Sequence, residues 1–275
     1  ILNSESSTKT DMKFITTLHG TDITLTGLEP SFLPTMKFSI QKSDGVTAVS
    51  KFLKDKTQQQ YQIDKEIEVI PNFIDINKYK REDNEKTKCF RKNFAKNDEK
   101  ILTHTSNFRA LKRVRDVITI FNEVKQKVDS KLLLIGDGPE RSECERYSSK
   151  LGIFEDIKFM GKQDALVELL SVTDLFFIPS QSESFGLSAL EAMSCGVPVI
   201  SSSVGGLPEL NLHGETGYIA EIGDVERMAK YAVELLTNEK RYEQLSANAR
   251  KRAEYFSEEN IVPMYEKFYD KVLGM

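Results

Sequence analysis

Residues 175–201 read LFFIPSQSESFGLSALEAMSCGVPVIS, and this stretch decides the fold. Leu175–Ile178 is a short run of large apolar residues, as a strand buried on both faces requires. A polar loop from Gln181 to Ser184 follows and runs straight into a helix of small residues. Val197–Ser201 then reads as a second strand. Strand, helix and strand in such close succession make a βαβ unit, whose two strands must lie parallel.

The same alternation continues towards the N-terminus. Phe14–Leu18, Val46–Val49, Glu68–Ile70, Ile101–Thr105, Leu132–Ile135 and Ile157–Met160 read as further strands. Most are separated by segments of helical period. In one of these, Val114, Val117, Ile118, Phe121 and Val124 recur at three and four residues and form a single buried stripe. Strands interleaved with helices predict parallel sheets covered by helices on both faces, a doubly wound α/β architecture.

The pattern contains two such units. Residues 1–72 hold a partial set of strands and end near Ile70-Pro71-Asn72, and residues 73–255 hold a complete set. Asp75 to Asp98 is polar and weakly periodic, and is expected to be a surface segment after a crossover between units. Near the C-terminus, Val225, Met228, Ala229, Ala232, Leu235 and Leu236 form one apolar helix face. Ile261, Met264, Tyr265, Phe268 and Val272 form another, on a terminal helix within residues 256–275. The opening ILNSESSTKTD lacks an initiator methionine, and with the partial first unit this gives the expectation that the natural protein begins further upstream.

Bulk properties narrow the function. The 275 residues carry a formal net charge of -4, which disfavours nucleic acid as the main partner because phosphate backbones select a basic face. No apolar run approaches the ~20 residues of a membrane helix, and no secretory signal opens the chain. Cys89, Cys144 and Cys195 are far apart and form no CxxC pair, which suits free thiols in a reducing cytoplasm.

In open parallel sheets, ligands bind beyond the carboxyl ends of the strands, where loops enter helix N-termini. Three such loops carry chemistry. After Leu132–Ile135 comes Gly136-Asp137-Gly138-Pro139, which suits either a loop bordering a nucleotide or a plain tight turn. Arg141 stands where a dinucleotide fingerprint needs its third glycine, and no phosphate-binding P-loop occurs. After Ile101–Thr105 comes Ser106-Asn107-Phe108-Arg109-Ala110-Leu111-Lys112-Arg113. Cations favour the other end of a helix, so three of them opening one want a phosphate: Arg109 as a bidentate donor, Lys112 as a point charge. A solvated basic patch is the alternative.

The third loop carries Glu183, with Glu191 farther on inside the helix. A helix starting near Ser184 to Gly186 points its first backbone N–H groups and its positive end at this loop, which suits an anion, and Gly186 leaves room for it. Five residues at ~1.5 Å each put Glu191 roughly 7–8 Å further along the axis, about the span of a diphosphate. Acceptor-only carboxylates at either end can take sugar hydroxyl protons. By itself, this pattern reads first as an acid favouring a helix dipole and a solvent-facing glutamate. His19, after a strand and before Gly20, could donate to a substrate hydroxyl. No D-x-D and no histidine pair at metal-ligand spacing occurs, so no bound metal and no cofactor is expected.

Glu183 and Glu191, with seven residues between them inside ESFGLSALEAMSCGVPVI, resemble the E-x7-E signature of the family 4 glycosyltransferases. HGTD at 19–22, VIPNFID at 69–75, IGDGPE at 135–140, GGLPEL at 205–210 and GETGYIA at 214–220 continue the match in order. The resemblance covers essentially the whole chain. It implies a GT-B fold, two Rossmann-like domains facing a cleft, with the first incomplete in this chain and the terminal helix crossing back onto it. HGTDITLTG, SNFRALKRV and SQSESFGLSALEAM are most similar to the branch that transfers N-acetylglucosamine from its UDP donor to L-malate at the first step of bacillithiol biosynthesis.

The resemblance also implies roles. Glu183 holds the donor-sugar hydroxyls, with Ser184, Phe185, Gly186 and Leu187 near sugar and phosphate. Glu191 takes the ribose hydroxyls. Lys112 matches the diphosphate-binding lysine; the family's arginine position is Asn107 here, so Arg109 would act from a shifted place beside Ser106. Gly136 borders the nucleotide, and Gly161 and Lys162 stand where backbone groups hold the uracil. His19 lies near the reacting centre, with Thr21 and Lys37 as candidates for the acceptor. Catalysis is then assigned to His19, Glu183, Arg109 and Lys112. A cytoplasmic, metal-independent, retaining transferase is the expectation, with a homo-oligomer left open. A different acceptor (lipid, polysaccharide or inositol phosphate), a UDP-sugar 2-epimerase and a non-catalytic nucleotide-sugar binder remain as alternatives.

Overall fold

Residues 12–20, 31–96 and 99–275 are described by the computed structural model. They fall into two compact units, one running to Ile70 and taking in Val262–Met275, the other spanning Pro71–Ile261. The first holds a parallel sheet of β1 (Ile15–Leu18), β2 (Gly45–Ala48) and β3 (Glu68–Val69), in that order. Helices Leu33–Lys42 and Lys51–Tyr61 make the crossovers. Leu18, Ile40, Val46, Ala48, Leu53 and Ile67 fill its core. The end of helix Glu258–Leu273 closes this core: a Cβ at Gly45 would stand 2.8 Å from both Phe268 and Val272. That contact needs glycine. Of the apolar face expected on this helix, Ile261 and Phe268 are buried, whereas Met264 is exposed.

The second unit holds six parallel strands: β4 (Lys100–Thr105), β5 (Ser130–Ile135), β6 (Ile157–Gly161), β7 (Leu175–Ile178), β8 (Val199–Ser202) and β9 (Gly217–Ala220). Their spatial order is β6-β5-β4-β7-β8-β9, the doubly wound arrangement in which the chain reverses direction between β4 and β7. The stripe on helix Val114–Lys125 is buried as its spacing predicts, together with Ile120. Helix Val225–Thr237 packs on the same core through Met228, Ala229, Ala232 and Leu235. β9 escaped the sequence reading because its four residues open on a glycine. A Cβ at Gly217 would stand 2.0 Å from the carbonyl oxygen of Val199, so the strand needs this residue to pair.

The polar segment 75–98 needs correcting. It contains helix Glu85–Arg91, whose first turn is capped by Asn84 Oδ1 accepting from Thr87 N–H at 2.9 Å. It is also anchored. Arg91 donates to the carbonyls of Val172 and Glu99 and to Asp174 Oδ2, and Arg81 donates to the carbonyl of Thr173. Phe90 and Phe94 pack on the core of β4 and β5. The segment reads as polar because arginines, not aliphatic residues, do much of the fastening.

Cys144 and Cys195 are buried, as expected of packed thiols, and Cys89 is exposed. Among the described residues no helix is long and apolar enough to cross a membrane.

Candidate functional site

The switch between β4 and β7 brings two loops together at the carboxyl edge of the six-stranded sheet. The N–H of Gln181, after β7, donates to the carbonyl of Leu111, after β4, at 2.7 Å. Across this seam Lys112 Nζ meets Glu183 Oε1 at 2.5 Å, and Ser180 Oγ donates to the same oxygen at 2.9 Å. The side chains are only 20% and 12% exposed, so this ion pair is shielded far more than an ordinary surface pair. Glu183 Oε2 has no partner among the described residues.

Backbone packing fixes this loop. Gly205 has φ +60°, and a Cβ there would stand 1.7 Å from the carbonyl oxygen of Glu183. Gly206 N–H donates to that carbonyl at 3.1 Å, and Ser202 Oγ donates to the carbonyl of Ser180. Phe185 is buried edge-on against Phe256, with ring centroids 5.5 Å apart. Gly186, at φ +100°, then turns the chain into helix Leu187–Ser194, whose N-terminus carries no side-chain cap. The positive end of this helix therefore sits shortly after Glu183. Leu187 is exposed at this end.

The loop after β4 is ordered from beneath. His104 is fully buried, and burial pushes its pKa down to about 4, with the charge of Lys112 acting in the same direction. The ring is therefore neutral. Its Nδ1 donates to the carbonyl of Phe177 at 2.9 Å, which leaves Nε2 to accept from Ser106 Oγ at 2.8 Å. Ser106 Oγ in turn accepts from Phe108 N–H at 3.3 Å. The glycines after β5 serve this loop too. A Cβ at Gly136 would stand 1.8 Å from the carbonyl oxygen of Ser106, and one at Gly138 2.0 Å from that of Asn107. Gly136 N–H also donates to the carbonyl of Gly161.

The cations do not open an α-helix, contrary to the sequence reading. Ala110–Lys112 forms a single 3₁₀ turn, and Arg113 takes a left-handed conformation before the helix begins at Val114. The reversal at Arg113 is what ends the turn. Arg113 is committed to Asp116 at 2.6 Å. Arg109 is exposed and has no ion-pair partner among the described residues. Lys162 is exposed beside Gly161 at the end of β6.

Glu191 lies in the second turn of helix Leu187–Ser194 and is half-buried, not solvent-facing. Burial pushes its carboxyl up to about 7, against the opposing pull of a hydrogen bond from Tyr79 and the charge of Lys78. The Tyr79 hydroxyl donates to Glu191 Oε1 at 3.3 Å. Sequence reasoning missed Tyr79, His104 and Ser180. For His104 a signal existed, a histidine inside an otherwise buried strand.

Of the first unit's candidates, His19 is exposed immediately after β1. Lys37 donates to the carbonyl of Gln62 at 3.3 Å, where helix Lys51–Tyr61 ends before entering β3. That is the amino-end side of the sheet, opposite the edge where ligands of such folds bind. Thr21 lies outside the described residues.

Two family models match the chain, "Glycosyl transferases group 1" over residues 85–252 and "Glycosyltransferase Family 4" over residues 4–78. The chain is 44% identical over 263 residues to the N-acetyl-alpha-D-glucosaminyl L-malate synthase of Bacillus anthracis, covering 95% of this chain and 68% of that protein. It is 29% identical to a D-inositol 3-phosphate glycosyltransferase of Rhodococcus opacus strain B4, covering 80% of this chain and 52% of that one. Among solved structures it is similar to Anabaena Alr3699/HepE in complex with UDP and glucose. The TM-score is 0.84 at 21% identity, over 96% of this chain and 72% of that one.

Proposed function

The chain belongs to the group 1 glycosyl transferases, and from that premise we propose that it moves N-acetylglucosamine from UDP-N-acetylglucosamine to the hydroxyl of L-malate, retaining the anomeric configuration. The coarser part stands on its own: this is a glycosyltransferase with the two parallel-sheet units of a GT-B fold. The observation that carries the catalytic reading is the shielded Lys112–Glu183 pair at the switch point. Malate as acceptor is supported by the 44% identity to a malate-modifying synthase over nearly the whole chain.

In this reading Lys112, Arg109 and the amides of Ser184 to Gly186 receive the negative charge that develops on departing UDP. Preorganised charge of this kind is often the largest catalytic term. No metal is assigned to the step. Glu183, with Oε1 held by Lys112 and Ser180, offers Oε2 to the hydroxyls of the donor sugar. An ion-paired carboxylate is a weakened nucleophile, which favours front-face attack, a donor phosphate oxygen taking the malate hydroxyl proton. Glu191 takes the ribose hydroxyls. Ser106 and Gly136 border the nucleotide, Gly161 and Lys162 the uracil, Phe185 and Leu187 the sugar-phosphate junction. His19 is assigned to the donor sugar near the reacting centre.

The test is UDP release from UDP-N-acetylglucosamine with and without L-malate. Release that depends on malate, with a glycosyl-malate product, is the expected result. Equal release without malate overturns the acceptor, and a free sugar inverted at C2 identifies a 2-epimerase. A second reading, an inositol phosphate acceptor, draws on the relative named for that activity, and the same assay with inositol 3-phosphate decides it.

A further inference from the structure

A tyrosine that the reaction does not yet use faces the second glutamate. Residues 71–80 run across the second unit before helix Glu85–Arg91, and the chain there is pinned rather than loose. Asp75 Oδ1 accepts from the N–H groups of Asn77 and Lys78 at 2.9 and 3.0 Å, and Tyr79 N–H closes the turn onto the carbonyl of Asp75 at 2.9 Å. Arg250, on helix Glu239–Tyr255, donates to the carbonyls of Ile76, Tyr79 and Ser194 at 3.2, 3.0 and 2.6 Å. Ser194 Oγ donates to the carbonyl of Tyr79 at 2.6 Å.

Ser194 and Glu191 sit three residues apart on one helix, so the segment bearing Tyr79 is fastened to the element that carries the carboxylate. The tyrosine ring cannot drift from it. Its hydroxyl donates to Glu191 Oε1 at 3.3 Å, while Oε2 has no partner among the described residues. A donor on one oxygen favours side-chain rotamers that keep that contact and leaves the other oxygen for a ligand.

We infer that Tyr79 is a positioning residue for the nucleotide: its hydroxyl holds the carboxylate of Glu191 in the orientation that receives the ribose diol. This rests on the reading of Glu191 as the ribose acceptor, and it names a residue outside the two-glutamate signature. The charged and titratable groups around Glu191 are Lys78, whose ammonium lies 5.6 Å over the Tyr79 ring, Tyr79 itself, and Cys195 with Arg81 and Arg250 beyond it. Losing the Tyr79 hydrogen bond removes one of the two influences that hold the carboxyl down, so protonation of Glu191 moves to higher pH.

The experiment measures UDP and 2′,3′-dideoxy-UDP binding to the intact protein by calorimetry, with unfolding midpoints to confirm folding. Tyr79→Phe keeps the ring and removes only the hydroxyl. The expected result is a loss of about 3- to 10-fold in UDP affinity, the scale of one neutral hydrogen bond, with dideoxy-UDP unchanged. The pH midpoint of UDP binding should rise in the same variant, and Tyr79→Phe should add nothing once Glu191→Ala is present. Equal weakening of both nucleotides by Tyr79→Phe, or no weakening, overturns the role of Tyr79. If Glu191→Ala leaves the preference for UDP over dideoxy-UDP intact, the ribose reading of Glu191 fails first.

Discussion

Glu183 and Glu191 lie eight positions apart and have opposite surroundings. Glu183 sits in a loop, paired with an ammonium and a hydroxyl across the seam between two halves of a sheet. Glu191 sits on a helix, half-buried, with a neutral tyrosine hydroxyl as its hydrogen-bond donor. The first carboxylate has an ammonium set against one of its oxygens, whereas burial pushes the second towards protonation near pH 7. One residue type thus occupies two environments, and in the proposed reading the first carboxylate meets the donor sugar and the second the ribose hydroxyls. The difference comes from what each backbone is fastened to.

The contrast breaks most completely if the Glu183 loop is moved. Gly205→Val places a side chain inside the carbonyl of Glu183 and forces a β-branched residue to positive φ. The expected loss is on the order of 3 kcal/mol of stability by urea denaturation, with transferase activity abolished. Gly214→Val, whose nearest neighbour is the flexible end of Arg241, is the control for strain without the backbone collision.

A sharper cut separates the ion pair from ligand binding. Lys112→Met leaves Glu183 without its cation and should lower stability by about 1–3 kcal/mol and UDP affinity more than uridine affinity. Adding Glu183→Gln should restore stability without restoring UDP affinity. Equal losses for UDP and uridine in Lys112→Met would remove the phosphate from this residue's role. Glu183→Gln alone should bind UDP almost normally while turnover falls roughly 100-fold or more.

The smallest effect concerns Glu191 and pH. Its folded pKa lies above the ordinary carboxyl value of 4.5, at about 7, so the folded chain binds the extra proton between those values. Stability contributed at this position therefore declines as pH rises from about 4.5 to 7, and the full penalty is present above 7. Glu191→Gln should accordingly be more stable than the parent at pH 8, by about 1–2 kcal/mol, and show no gain at pH 4. A thermal unfolding series across that range checks the sign.

The strands other than β9, the buried stripe from Val114 to Val124 and the loops after β4 and β7 were readable in the sequence, because burial on a regular element leaves a period. Glu183 and Glu191 were readable as a spaced pair, but their environments were not. Lys112 meets Glu183 from 71 residues away, and Tyr79 reaches Glu191 across 112. No local pattern encodes either contact. The segment bearing Tyr79 looked like surface because its anchors are arginines on carbonyls, which leave no apolar stripe. Gly136 and Gly138 were readable as a tight or ligand-bordering loop and Gly205 only as part of GGLPEL; in each case the neighbour that a Cβ would meet is the backbone of another site loop.

The seam between Leu111 and Gln181 has a consequence for the order in which the protein is made. Lys112 leaves the ribosome 71 residues before Glu183, several seconds earlier at roughly 5–20 residues per second. Until β7, β8 and the Gly205–Gly206 turn follow it out, Lys112 and Leu111 lack the partners they meet in the folded chain, and in the proposed reading UDP then has only half of its contacts. A nascent chain stalled before residue 175 is thus expected to pass over immobilised UDP unretained. One released after the second half has folded should stay bound.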